Sequence, residues 1–492
     1  MEEHKRGGFA GGVMKLVAGR GLSIAISLGT APIVARLFAP GDFGIYGVIV
    51  AVGTWITSFA CLGYFQAIPL TSDRWEMRAL LRLCGLITLV LVGLSLLVPW
   101  AGRDLLIRLL GEPAAGPFLW FVPLFFLLNS LANITEHSLS RLERFGGLAL
   151  FNFAVTNLTR LLTIAYGVLV GAGALGLILG NLAGLGGALL LGAAVLLPAL
   201  RSPGPAPEQP WTLVRVARRH SQFPRVQMWN WVLAATSQSL PVLLLGGFFG
   251  AAVAGMFVYA RNIILMPKNL LSTSVAQVFY PQGAREWEQG GSLGQSIRRS
   301  LKLLVLTTSF PAVLLALLGP VLFAVVFGER WREAGVYAQI LSPWMFMEIV
   351  ATPIALVLLI TRRAHLALIY NLVLVVVRVG ALVAGGLWAG SRVALLIFSL
   401  GSTAVMLHQL IYCLRLGGAG VREPAGLLLR EAGRSLALLI PLALPAWWGL
   451  LPGWLVLVLA AAAAAIHFGL LLGREPMVRR ELDRLLGRKE RG

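Results

Sequence analysis

Five basic residues stand within long apolar runs of the sequence: Arg20, Arg160, Arg261, Lys268 and Arg378. A charge near the centre of a bilayer costs from about 2.5 to more than 10 kcal/mol unless it faces other protein or water. Grouped side chains of this kind can bind an anion, because they donate charge-assisted hydrogen bonds to phosphate and carboxylate oxygens. We therefore expect these residues to line a cationic cavity that binds an anionic substrate.

Polar side chains share the helical face of Arg160. A rotation of about 100° per residue places Thr156, Thr159 and Thr163 on nearly the same stripe as this arginine. Asn157 is a further polar candidate for the cavity wall. Because a polar stripe on an apolar helix faces protein or water rather than lipid, we predict that this helix lines the cavity.

The apolar segment around Arg261 is the most polar helix of the chain. Lys268 and Ser272 follow Arg261 on one face, and Asn262 and Asn269 lie beside it. Such a concentration of polar groups predicts a second cavity-lining helix, in which Arg261 and Lys268 bind substrate.

Arg378 stands near the centre of a third such helix, with Asn371 seven residues earlier on the same face. Arg20 and Lys268 lie closer to the ends of their helices, so their long side chains can alternatively reach the cytoplasmic surface. A purely structural pairing of a central arginine with an acidic residue is a further alternative.

Glu348 is the acidic residue at mid-span of a later predicted helix. It is either an ion-pair partner of the arginines or a site that couples transport to a proton or cation, and the sequence leaves both open. The sequence contains no Walker A loop, no HExxH motif and no pair of CxxC motifs. We therefore predict no catalytic residue, no metal site, no cofactor and no enzyme activity.

The elements that carry these residues are transmembrane helices. Hydrophobic residues make up 58% of the chain and charged residues 13%, with a mean hydropathy of +0.81. Apolar runs of the length that a bilayer needs recur about fourteen times, which predicts an all-α polytopic membrane protein. The net charge of +20 on a soluble protein would suggest nucleic acid binding. Here the basic residues concentrate in alternate connections, which predicts cytoplasmic termini and no nucleic acid partner.

A basic, proline-rich interruption follows the sixth predicted helix and divides the chain. Within it, Trp211 to His220 is either an amphipathic helix on the cytoplasmic leaflet or a solvated charge run. The expected domains are an N-terminal lobe 1–200, a cytoplasmic linker 201–226, a C-terminal lobe 227–417, two extra helices 418–473 and a basic cytoplasmic tail 474–492.

Three stretches of the sequence carry a family resemblance. The turn Ala35–Tyr46, reading ARLFAPGDFGIY, precedes a helix that ends in Gln66-Ala67-Ile68-Pro69. The second stretch runs from Gly255 to Pro281, and the third is Phe327-Gly328-Glu329-Arg330-Trp331. In this order they resemble the Wzx-type O-antigen flippases of the multidrug/oligosaccharidyl-lipid/polysaccharide transporter superfamily. The last two predicted helices match no motif of that family.

The resemblance implies two six-helix lobes plus two C-terminal helices, working by alternating access. It also implies a polyprenyl-pyrophosphate-linked oligosaccharide as substrate, moved from the cytoplasmic to the outer leaflet of a bacterial or archaeal cytoplasmic membrane. Membrane lipids and other polysaccharide-assembly proteins are the further partners that it suggests.

The sequence leaves three other functions open. A cation-coupled multidrug exporter of the same superfamily would use acidic cavity residues, whereas this chain offers mostly arginine. A membrane-embedded polysaccharide polymerase or ligase would carry a large outer loop, and the sequence has none of that length. A non-transporting assembly partner of a polysaccharide complex is the third.

Overall fold

The computed structural model describes residues 2–104, 107, 113–201 and 210–475. Every regular element in these ranges is helical, which confirms the all-α fold class. Helices suit such a chain, because a bilayer accepts a spanning segment only when its backbone hydrogen bonds are satisfied within the protein.

The described residues of the first half of the chain form a series of helices with short 3₁₀ and π segments between them. They are α1 (Glu2–Leu37), α2 (Pro40–Thr57), a 3₁₀ segment Ala60–Leu70, α3 (Arg74–Ser95), α4 (Leu97–Trp100), a 3₁₀ segment Pro113–Phe121, α5 (Val122–Arg141), α6 (Phe145–Leu169), α7 (Ala174–Arg201), α8 (Leu213–Arg219), a π-helical turn Phe223–Gln227, α9 (Met228–Phe249) and α10 (Ala251–Glu288).

As far as residue 475, the second half continues with seven helices. They are α11 (Gly294–Phe327), a 3₁₀ turn Glu329–Trp331, α12 (Arg332–Ile354), α13 (Val357–Ile360), α14 (Ala364–Trp388), α15 (Ser391–Leu416), α16 (Arg422–Trp447) and α17 (Gly453–Arg474).

In the described part of the chain, ten helical segments are long and apolar enough to cross a membrane. The pair α1 and α2 adds one more if it is a single broken span, with a bend of 116° between its limbs. The prediction of about fourteen spans is reached when α1, α2, α10 and α16 are each counted as a further crossing. Both α10 and α16 carry several charged residues, so composition alone does not identify them as spans.

Two glycines set the contact between the starts of α2 and α10. A Cβ added at Gly44 would overlap the carbonyl oxygen of Ala251, and one added at Gly255 would overlap that of Pro40. Small residues allow helix backbones to approach this closely. The two motifs that carried the family resemblance therefore meet where their helices begin.

The chain divides into two compact units, Met1–Gly255 and Met256–Gly492. This division falls inside α10, one helix after the predicted linker 201–226. The helix α9 thus belongs to the first unit, and the assignment of predicted lobes 1–200 and 227–417 stays a prediction.

Candidate functional site

A group of charged side chains from three helices meets inside the second unit. Glu348 on α12 forms salt bridges with Lys268 on α10 and with Arg378 on α14, the latter at 3.4 Å between Nη2 and Oε2. Arg261, two turns before Lys268 on α10, lies close enough to Glu348 and Arg378 to interact electrostatically with both. We call these four residues the Glu348 cluster.

Arg378 is the most firmly held member of the Glu348 cluster. Its Nε donates to Ser402 Oγ at 3.2 Å, and its guanidinium lies 5.6 Å from the ring centre of Trp344 and 5.5 Å from that of Phe398. Only 8% of the residue is exposed. Because a desolvated guanidinium gains from aromatic faces as well as from a carboxylate, this arginine positions Glu348.

Lys268 and Glu348 are more accessible than Arg378. Their side chains are 25% and 16% exposed, and Arg261 is partly exposed as well. Three basic side chains stand against one carboxylate in the cluster, and the sequences of α14 and α15 contain no acidic residue. The cluster therefore carries an excess of positive charge that an anion can reach.

A second group of polar residues joins α1 to α6 in the first unit. One amino group of Arg160 donates to the carbonyl of Ser27 and to Thr30 Oγ1, at 3.2 Å for the latter. One turn earlier, Asn157 Nδ2 donates to Ser23 Oγ at 2.8 Å. The charge of Arg160 thus lies against neutral carbonyl and hydroxyl oxygens of α1.

The structure brings most of the predicted residues together, in two separate sets. Arg261, Lys268 and Arg378 meet around Glu348, which answers the open question of its pairing; its role in coupling stays a prediction. Lys268 points its ammonium group at this carboxylate in the structure rather than following the alternative route to the membrane surface.

The predicted asparagines behave differently from one another. Asn262 and Asn371 are exposed. Asn157 is 3% exposed and lies between α1 and α6, since its amide is used to join them. The side chains of Arg20 and Asn269 lie outside the described residues. A common cavity for these groups stays a prediction.

A buried acidic anchor at the start of α3 was not predicted from the sequence. Glu76 is fully buried, accepts hydrogen bonds from the backbone N–H of Ser72 at 2.6 Å and from His220 Nε2 at 3.0 Å, and forms a salt bridge with Arg219 Nε at 3.0 Å. The helix α8 is therefore bound to the protein, and neither of the two alternatives for Trp211–His220 foresaw this contact.

Asp73 completes this anchor as the N-cap of α3. Its carboxylate accepts from the backbone N–H groups of Trp75 and Glu76 and from the indole of Trp211 at 3.0 Å. Burial raises the pKa of Asp73, but the hydrogen bonds to its charged form outweigh burial and leave the pKa below its usual value. Two acidic residues opposite an arginine-rich segment are the signal that could have revealed this contact.

Comparison with known protein families gives a match over most of the chain. A family model described as polysaccharide biosynthesis protein matches residues 33–336. The chain is also 25% identical, over 177 residues, to the lipopolysaccharide biosynthesis protein WzxC of Escherichia coli strain K12. That match covers 35% of this chain and 36% of WzxC, so the chain spans about a third of the length of that relative.

Solved structures show the same fold. The structure of the lipid II flippase MurJ in an inward closed conformation superposes with a TM-score of 0.69 and 14% identity, covering 93% of this chain and 99% of MurJ. An inward-facing multidrug resistance transporter of the MATE family gives 0.54 and 15% identity over 82% of this chain and 95% of its own. At these identities the likeness establishes a shared fold.

Proposed function

The chain belongs to the polysaccharide biosynthesis protein family, and from that premise we propose that it is a flippase for lipid-linked oligosaccharides. Its substrate is an oligosaccharide repeat unit on polyprenyl pyrophosphate, which it moves from the cytoplasmic to the outer leaflet for surface polysaccharide assembly. The observation that carries the proposal is the excess of positive charge in the Glu348 cluster, since pyrophosphate is a compact polyanion.

The geometry of the cluster suggests how it acts on substrate. In the structure, Lys268 is neutralised by Glu348, which Arg378 holds from its other side. A pyrophosphate that enters accepts hydrogen bonds from Arg261 and Lys268, and Lys268 then exchanges a carboxylate for a phosphate oxygen. This exchange supplies the differential binding energy that a ligand needs to shift a transporter between conformations.

Arg160 belongs to the same translocation path in this proposal. Its guanidinium is held by oxygens of α1 at one amino group, and its positive charge attracts an anionic sugar or phosphate. Arg20, on the same side of α1 as Ser23 and Ser27, is proposed to extend the path towards the cytoplasmic end.

The setting of this activity follows from the distribution of basic residues. The chain is a multi-pass membrane protein, and we place both termini in the cytoplasm of a bacterial or archaeal cell. Other polysaccharide-assembly proteins would supply and consume the lipid-linked substrate.

A multidrug exporter is the second candidate, because Glu348 is a carboxylate that a cationic drug could bind and the fold resembles a MATE transporter. Its oxygens are shared between Lys268 and Arg378, however, which leaves a positive rather than a negative site. The charge of the cluster therefore favours the flippase.

The decisive experiment reconstitutes the full chain in vesicles that contain a fluorescent polyprenyl-pyrophosphate sugar. Arg261→Ala should abolish flipping and Arg261→Lys should retain part of it, because the site needs the charge. Arg285→Ala, at the exposed end of the same helix, is the matched control and should flip normally. Undiminished flipping by Arg261→Ala, or export of a cationic dye by the unmodified protein, would refute this proposal.

A further inference from the structure

A cavity of about 480 Å³ lies within the second unit, between α11, α16 and α17. It is separate from the Glu348 cluster, with which it shares no residue. Its polar lining comes from Arg430, Glu431 and Arg434 of α16, from His467 and Arg474 of α17, and from Glu475, whose carboxylate pairs with Lys302 at 2.7 Å. Charged groups beside apolar helices require polar partners, water or a ligand, since desolvating them is costly.

Glu431, the buried acidic residue of this lining, is neutralised from two sides, and Glu475 is neutralised by Lys302. Glu431 is 2% exposed, and it forms salt bridges with Arg434 and, at 3.4 Å, with Arg430. The side chains of Arg430 and Arg434 remain 56% and 48% exposed. Each guanidinium has five N–H donors and presents one nitrogen to Glu431, so both have donors left for a ligand in the cavity.

His467 gives an independent sign of a missing polar partner. Its ring is 9% exposed and stacks on Phe310 with 4.8 Å between the ring centres. The buried Nε2 atom of His467 has no hydrogen-bond partner among the described residues. A buried nitrogen without a partner is costly, and a ligand oxygen in this cavity would provide one.

The rim of the cavity is apolar and exposed. Ile466 and Leu470 line it while remaining 53% and 52% exposed, and Leu438 faces them from α16. The most apolar window of α17 is only 28% buried inside the protein. An exposed apolar surface on a membrane-spanning helix is covered by lipid chains, so the occupant of this cavity has an apolar part.

We propose that this cavity binds an anionic phospholipid, with its phosphate on Arg430, Arg434 and His467 and an acyl chain over Ile466 and Leu470. The combination of positive charge, an unpaired nitrogen and a lipid-covered rim matches an anion that is joined to a hydrocarbon chain. The bound lipid would tie α16 and α17 to α11, and the site operates whether or not the Glu348 cluster transports a glycan.

The test measures lipid binding to the purified full-length protein by native mass spectrometry. Phosphatidylglycerol should bind at one saturable site, and phosphatidylcholine should bind more weakly there. The double variant Arg430→Gln/Arg434→Gln should weaken phosphatidylglycerol binding by about fivefold for each arginine removed. The matched control Arg422→Gln, at the exposed start of the same helix, should leave binding unchanged.

A second variant guards against misfolding of the first. Ala437→Trp fills the cavity from α16 without touching the ion pairs of Glu431, and it should also weaken phosphatidylglycerol binding. Equal binding by both cavity variants and the control would overturn the proposal. So would complete displacement of the lipid by millimolar inorganic phosphate, which indicates a soluble anion, or preferential occupation by polyprenyl phosphate, which indicates the transported substrate.

Discussion

Each of the two units contains an arginine within apolar helices, and the groups that stabilise its charge differ between the units. In the second unit, Arg378 lies against a carboxylate, a hydroxyl and two aromatic rings. In the first unit, Arg160 donates to a backbone carbonyl and a threonine hydroxyl of α1. A carboxylate partner lowers the net charge of its site, whereas neutral oxygens leave the full charge of the arginine to act on a ligand.

This difference predicts different consequences for stability and for transport. A buried charge that loses its counter-ion is strongly destabilised, whereas an arginine that loses one neutral acceptor keeps other donors for water. We therefore expect the Glu348 cluster to couple folding to charge balance, and the Arg160 group to affect mainly the path of the substrate.

The largest effect is expected at Glu348. Glu348→Ala leaves Lys268 and Arg378 without their carboxylate and should destabilise the protein by about 3 to 5 kcal/mol. Thermal unfolding in detergent measures this loss, with Glu333→Ala, which breaks the exposed pair with Arg392, as the control. A variant of Glu348 that is as stable as the Glu333 variant would contradict the role of the cluster in folding.

Arg378 tests whether the pair acts as a unit. Arg378→Met should destabilise by about 3 kcal/mol, because Glu348 then keeps Lys268 as its one salt-bridge partner in the Glu348 cluster. Combined with Glu348→Ala, the loss should be smaller than the sum of the two single losses, since residues in direct contact are not additive. Additive losses in the same unfolding assay would show that the two residues act independently.

Arg160 gives the intermediate case. Arg160→Met should destabilise by about 1 to 2 kcal/mol, less than Arg378→Met, because its acceptors on α1 are neutral. Flipping in vesicles should nevertheless fall strongly. The Arg160 variant should therefore lose more transport for each kcal/mol of lost stability than the Arg378 variant. If the Arg378 variant were the more stable of the two, the comparison between the units would fail.

The smallest effect is expected at the anchor at the start of α3, where Asp73 titrates in contact with water. Its folded-state pKa is lowered, so its contribution to stability is complete above the unfolded pKa of about 3.9 and is lost as the pH falls through the folded value. Between neutral pH and pH 3, the midpoint temperature of thermal unfolding should therefore fall less for Asp73→Asn than for the unmodified protein. Identical pH profiles would exclude Asp73 as a contributor.

Hydropathy and charge in the sequence identified a helical membrane protein, located its apolar segments and singled out the basic residues within them. Those properties are local, because the bilayer tests each segment for length and apolarity separately. The family resemblance also rested on local motifs. Two of these motifs contain Gly44 and Gly255, which must be glycine because backbone atoms of the facing helix occupy the space that a side chain would need.

Only the tertiary structure decided which charges meet. Glu348 is 80 residues from Lys268 and 30 from Arg378, and Glu76 is 144 from His220. Neither spacing nor composition encodes such distances. The same limit hid the difference between Asn157, used to join two helices, and the exposed Asn262 and Asn371. The sequence by itself determined that charged residues lie within apolar helices, and packing determined which of them are neutralised, because ion-pair partners are set by their positions in space.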